Sequence, residues 1–219
     1  MNLLLDYADV VNNIDNNNFF IKLSKIPDID KFLVTQECFI SAIDNWSKLL
    51  GLLIFYLPTD KERLTIIKNL YDEHGDGDLN KSHTNTFKLL LKSLNYDKNI
   101  LLYNDNLSSF NYVNKFNNDL KDIIMTKNWV YSVAVLGMIE YTYITVSKNI
   151  HNYLLNFLPA DQINHYSLHE TLDVTHATEL FELIVSYIKN DELCPDIKQG
   201  ILSGYNIMNE LYSSLYELL

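Results

Sequence analysis

Within the segment His169-Glu170-Thr171-Leu172-Asp173-Val174-Thr175-His176, two imidazoles and a carboxylate recur at helical spacing. Positions i, i+4 and i+7 share one face of a helix, so His169, Asp173 and His176 project together. None of the three is apolar. Two imidazoles with one carboxylate suit a transition metal such as iron better than calcium or magnesium. The question the rest of the chain must answer is whether other residues complete such a site.

Four further residues have the required chemistry. Glu140 lies in Val133-Ala134-Val135-Leu136-Gly137-Met138-Ile139-Glu140-Tyr141, the most apolar stretch of the chain. A carboxylate buried there is costly unless it is paired, protonated or bound to metal; otherwise it marks the polar edge of an amphipathic helix. Glu37, in Val34-Thr35-Gln36-Glu37-Cys38-Phe39-Ile40, has a similar setting. Between Tyr71 and His83, acidic residues are dense and Gly75 and Gly77 break the helical pattern. A calcium loop fits poorly here, because its third position is His74 and its twelfth is His83, where a bidentate glutamate is needed. The other reading takes Glu73 and His83 as ligands on two helical stretches, with the glycines letting the chain bend between them. A surface turn is the bland alternative.

Glu37, Glu73, His83, Glu140, His169, Asp173 and His176 together offer four carboxylates and three imidazoles. A dinuclear iron or manganese site in a helical bundle draws on this kind of set. Ferritin-like proteins would add two Glu-x-x-His motifs, and this chain has none.

The order of these residues resembles that of the haem-oxygenase-like diiron oxidases: Glu37, then Glu73 with His83, then a lone Glu140, then His169-x-x-x-Asp173-x-x-His176. The stretch Asn69-Leu70-Tyr71-Asp72-Glu73-His74-Gly75-Asp76-Gly77, with His83 and Phe87, is similar to that family's second block. The resemblance implies a seven-helix bundle, often a homodimer, and two iron ions held by all seven residues, with manganese able to replace one. It also implies O2 as co-substrate, an external electron donor in some members, and a small organic substrate. Activities in the family include N-oxygenation of amines, oxidative C–C cleavage of amino or fatty acids, and a self-sacrificing route to 4-aminobenzoate that consumes a protein tyrosine and lysine. Tyr141, Tyr143 and Lys148 lie near Glu140, and the two tyrosines are candidate catalytic or pocket residues; core packing is the alternative.

Other branches of the fold match less of the chain. Haem oxygenases carry a proximal histidine on the first helix, and the first histidine here is His74. Thiaminase-II-like proteins use a cysteine on the long central helix, where this chain has none. The cofactor-free pyrroloquinoline-quinone synthase branch would leave the ligand set unexplained. From a different class, a partner-binding effector on the same fold remains open.

Helices must position all of this. Periodicity predicts short helical pieces over Leu3–Asn13 and Asn18–Ser24, a long helix to Tyr56 stopped by Pro58, and a helix over Asp60–Glu73 capped by Thr59 and Glu62. Further helices are expected over Ser82–Leu94, Phe116–Met125 and Trp129–Leu158, with Asn95–Asn114 as loop. Ser167 with Glu170 has capping-box form and predicts that the metal stripe occupies the first two turns of a helix to Tyr187. A last helix follows Pro195, and the whole reads as one all-α domain.

Composition agrees. The chain has 219 residues, is 47% hydrophobic, and contains six Gly and four Pro. The net charge of -11 and a single arginine, Arg63, argue against nucleic-acid binding. Two cysteines make no disulfide framework. No leader-like start and no convincing membrane span are read, so the expectation is a cytoplasmic protein free of the membrane.

Overall fold

The computed structural model describes residues 2–25, 28–96, 108–188 and 193–219. Its described α-helices are α1 (Asn2–Val11), α2 (Asn18–Leu23), α3 (Ile29–Tyr56), α4 (Asp60–Glu73), α5 (His83–Ser93), α6 (Ser108–Thr126), α7 (Trp129–Leu154), α8 (Asn164–Ile184) and α9 (Pro195–Leu215). No strand occurs among the described residues. Helices α3 to α9 number seven, the count expected, and α1 and α2 pack outside them.

Local chemistry sets most boundaries. The Asp28 carboxylate accepts from the Asp30 and Lys31 amides and starts α3. Leu57, held extended before Pro58, ends it. Thr59 accepts from the Lys61 amide at the head of α4, and the Glu62 carboxylate meets the Thr59 hydroxyl. Asn128 accepts from the Tyr131 amide to open α7. Pro195 occupies the first turn of α9, where its missing N–H costs nothing.

Helix α7 is the central rod. Every residue from Ser132 to Glu140 is buried, and α7 packs chiefly on α8 and α9. Two glycines of α9 allow the close approach: a Cβ on Gly204 would stand 2.5 Å from the Val135 carbonyl oxygen, and one on Gly200 would stand 2.8 Å from the Tyr131 oxygen. Interiors this tight do not absorb an added methyl without backbone shift. Apolar side chains from all nine described helices join one core. Helices α3 and α7 are long and apolar enough to cross a membrane on length and composition alone, but the apolar window of α7 is 72% buried within the bundle. The Cys38 thiol is buried and donates to the Val34 carbonyl at 3.4 Å, as a small core residue would.

The boundaries of α6, α7 and α8 differ from the sequence expectation. Helix α6 begins at Ser108, although 108–114 had the composition of a loop; 97–107 lie outside the described residues. Phe110, Val113, Phe116, Leu120 and Ile124 form its buried face, and asparagines such as Asn111 and Asn118 that suggest a loop are exposed on the other. Helix α7 ends at Leu154, four residues before Leu158. Helix α8 begins at Asn164, three residues ahead of Ser167. The Ser167 hydroxyl donates to the Asn164 carbonyl within that first turn, and Glu170 reaches His151 on α7 instead of closing a capping box.

Candidate metal centre

Glu73 is the last residue of α4 and His83 the first of α5. The chain between them makes two short 3-10 turns, Gly75–Gly77 and Leu79–Lys81. Gly75 has φ +66° and Gly77 φ +86°, a region that side chains disfavour. A Cβ on Gly75 would also lie 2.6 Å from the Lys81 carbonyl carbon and 2.7 Å from the Ser82 nitrogen. Glycine is therefore what lets the turn fold against the start of α5. The result is direct: His83 Nδ1 stands 2.7 Å from Glu73 Oε2. The loop carboxylates do not converge on a cation; Asp76 is exposed, and Asp78 caps the Asn80 amide and lies 3.7 Å from Lys81.

Glu140 comes from the middle of α7, and His169, Asp173 and His176 from α8. All six of these residues are at most 7% exposed. His169 Nδ1 is 2.8 Å from Asp173 Oδ1. His176 Nδ1 is 3.7 Å from Glu140 Oε1 and 4.0 Å from Asp173 Oδ1. Glu73, Glu140 and His176 each present a ligand atom within 4.8 Å of the others. The His83 and His169 rings meet edge to face at 4.4 Å.

Surrounding side chains orient this set. The Trp46 indole N–H donates to Glu140 Oε1 at 3.1 Å, and Asn69 donates to the same oxygen at 3.5 Å. Asp72 Oδ2 lies 3.3 Å from His176 Nε2. A carboxylate on the outer nitrogen fixes the tautomer and leaves Nδ1 as the lone pair facing the centre, as in many metal-bound histidines.

Electrostatics show a centre short of positive charge. Burial, then the charges of Asp173 and Glu73, pushes the Glu140 carboxyl well above its usual range. Burial, then Glu73, does the same to Asp173. Burial would also raise Glu73, but the adjacent His83 outweighs it and holds Glu73 low. For His83, burial opposes the charge, yet the Glu73 carboxylate dominates and raises it. Burial, followed by His83, lowers His169 to about 3, so it is neutral with a free lone pair.

The fit to a metal can be tested on unpaired atoms. Buried polar atoms in folded proteins nearly all have partners. Here Asp173 Oδ2 and His176 Nδ1 have no hydrogen bond, and His83 Nδ1 faces Glu73 without hydrogen-bond alignment. All three atoms belong to residues of the converging set, where a cation would give them a partner. Three carboxylates and three imidazoles form a mixed oxygen and nitrogen donor set that suits iron or manganese.

Glu37 is not brought to this set. It is half-buried on α3 and hydrogen-bonds the Tyr96 hydroxyl. Trp46 on α3 reaches Glu140; Glu37 is nine residues away, which is 900° of helical turn and hence the opposite face. The helix phase, not distance along the chain, separates it from the others. Tyr141 also faces elsewhere, donating to Asp9 on α1 at 3.3 Å, and Lys148 is exposed. Tyr143 does reach the site: its ring is 5.2 Å from His169. Burial, with the neighbouring Tyr166 and Tyr212, pushes its phenol well up, so it stays protonated.

The sequence reading missed Trp46, Asn69 and Asp72, which carry no signal in type or spacing that sets them apart.

A narrow cavity of about 60 Å3 opens onto Glu73, His83, Glu140 and His169. Its other walls are Phe39, Ala42, Ile43, Trp46, Phe116, Ile139, Tyr143 and Met208. Among the described residues no lysine or arginine lines it. Apolar walls with a few convergent polar groups at one end are the usual form of a small-molecule site.

No curated protein matches the chain. The family of iron-containing redox enzymes with a haem-oxygenase-like fold matches residues 33–209, a span that holds all six converging residues. With that match over most of the sequence, an all-helical bundle and a buried Glu/Glu/His cluster, the chain belongs to the haem-oxygenase-like iron-containing redox enzymes and is an oxidoreductase.

Proposed function

We propose that this oxidoreductase is a non-haem diiron oxidase or oxygenase that uses O2 to oxidise a small amine or amino-acid derivative, by N-oxygenation or oxidative C–C cleavage. One observation carries the reading: six buried carboxylate and imidazole residues from four helices converge, three of them with unpaired polar atoms, and four of the six (Glu73, His83, Glu140 and His169) line one end of an apolar cavity. Glu73, His83, Glu140, His169, Asp173 and His176 would hold two iron ions, with manganese able to take one position. Bound there, the ions would supply the redox equivalents and the activation of O2 that protein side chains lack.

The chain's own residues do the rest. Glu73 contacts His83 and also belongs to the Glu140/His176 cluster, which makes it the natural shared ligand. Trp46 and Asn69 fix Glu140, and Asp72 fixes His176. Phe39, Ile43 and Ile139 keep water from the reacting atoms, which protects reactive species from side reactions. A substrate amine would find carboxylate acceptors at Glu73 and Glu140 and no competing cation on the walls. Tyr143, on the cavity wall with its phenol kept protonated by burial, would serve as a proton donor in this reading. A homodimeric, cytoplasmic enzyme served by an external electron donor completes this reading.

Anaerobic Fe(II) titration tests it. Wild type should take up two irons per chain and show an O2-dependent optical change, with amine-dependent O2 consumption. His176→Ala should bind one iron or none. Wild type that holds only stray iron and shows no such change would sink the proposal. Tyr143 at the cavity supports one variant reading, in which the chain consumes its own tyrosine; intact-mass measurement after O2 exposure separates the two, with an unchanged mass expected here.

A further inference from the structure

On α3, Phe39, Ala42, Ile43 and Trp46 fall at i, i+3, i+4 and i+7, which is one face of a helix, and all four line the cavity. Two of them are pinned. The Phe39 ring stacks on Tyr143 at 6.0 Å and meets Tyr212 at 6.1 Å and Phe87 at 6.3 Å. The Trp46 indole is tied to Glu140. One turn beyond Phe39 and one turn before Trp46, the buried Ala42 ends at its Cβ. Phe116 of α6, Ile139 of α7 and Met208 of α9 supply further walls, and all three are buried. Each is larger than Ala42. Side chains packed this closely do not swing aside for a larger guest. The room beside the ligand cluster therefore owes much to the one place where α3 offers only a methyl.

Size decides what can enter. An apolar cavity of about 150 Å3 takes one benzene ring, or about 25 Å3 for each carbon. This cavity is about 60 Å3, which on that scale holds about two or three carbons. An aromatic ring or a branched chain exceeds it. A short methylene chain fits, and each CH2 it buries against apolar walls should raise affinity about fourfold.

We propose that the substrate is a short, unbranched aliphatic amine whose carbons lie over Ala42, and that Ala42 is the specificity-determining residue of the cavity. The proposal deepens the oxidase reading above and rests on its choice of an amine substrate.

Titration of the whole chain with n-alkylamines, both metal-free and Zn(II)-loaded, tests it without reference to turnover. The methyl NMR signal of carbon-13-labelled Met208 reports occupancy of the cavity. From methylamine to n-propylamine the dissociation constant should fall about fourfold per CH2, and beyond n-butylamine it should fall no further. Isobutylamine and benzylamine should bind at least tenfold more weakly than n-propylamine. Ala42→Val fills the gap and should weaken n-propylamine at least tenfold, with methylamine affected least. Phe116→Ala opens the opposite wall and should move the break to longer chains and admit benzylamine. The wild-type profile stands even if a variant fails to fold. Affinity that keeps rising through n-hexylamine, benzylamine bound as tightly as n-propylamine, a Met208 methyl that no amine moves, or an unchanged profile in folded Ala42→Val would overturn the proposal. A profile that breaks as expected in a chain that takes up no iron would keep this assignment and sink the oxidase reading. Two irons and amine-dependent O2 consumption with a flat profile would do the reverse.

Discussion

Within the centre, Glu73, Glu140 and His176 present ligand atoms within 4.8 Å of one another, while His83, His165 and His169 meet as a cluster of rings. The first group is fixed from outside by directed hydrogen bonds: Trp46 and Asn69 on Glu140, Asp72 on His176. In the second, ring packing on Phe87 and Tyr166 and the Thr86 hydroxyl hold His165, while His169 meets Asp173 and His83 faces Glu73. The carboxylate-rich group gathers charges that repel and need a cation. In the histidine group burial disfavours the charged forms of His165 and His169, while Glu73 favours the charged form of His83. Preorganised hydrogen bonds should make the first group fill first, so metal uptake should be biphasic.

The largest effects should come from removing what the two groups share. Asp173 contacts both His169 and His176, so Asp173→Asn should lose both ions by metal analysis. The same change should stabilise the metal-free protein. In the wild type the folded Asp173 carboxyl is raised, so above the ordinary carboxylate value of about 4 the unfolded state has shed a proton that the folded state keeps, and stability falls as pH rises. The melting temperature of metal-free Asp173→Asn should therefore equal the wild type near pH 4 and exceed it increasingly toward neutral pH. A variant that melts below wild type at pH 7 would contradict the charge-poor centre.

Gly75→Ala should act next, through the histidine group. A positive φ and a 2.6 Å backbone clash together should cost about 2 kcal/mol or more, or about 4–8 °C in melting temperature. Because the turn places His83, weaker binding of the second ion should accompany the loss; an intact second site would show that His83 is not positioned this way. Asp72→Asn should weaken the first ion by about 10–100-fold and spare the second, a contrast that competition with a chelator would resolve. Trp46→Phe removes one hydrogen bond to a carboxylate and should cost about 1.5–3 kcal/mol of first-ion affinity at most. Glu37→Gln should change neither site, and any loss of metal there would return Glu37 to the ligand set.

Much of the fold was legible because turn chemistry and periodicity agree along α3, α4, α5, α7 and α9. Asn-rich α6 was misjudged in its first two turns because its polar face has the composition of a loop, and only burial of Phe110 and Val113 shows otherwise. At the site, residues with a helical period or a glycine bend beside them could be read: His169, Asp173, His176, Glu73 and His83. Glu37 has the right chemistry in an apolar setting, and only the phase of a 28-residue helix reveals that it faces away. Trp46, Asn69 and Asp72 act through contacts between distant segments, which spacing along one chain does not encode.

The central claim is that two metal ions share one buried set of ligands. Iron-edge anomalous scattering from crystals grown anaerobically with Fe(II) tests it most directly. Two peaks about 3.5–4 Å apart are expected, one beside Glu140 and His176 and one beside His83 and His169, with Glu73 reaching both. A single peak, or peaks away from these residues, would contradict it.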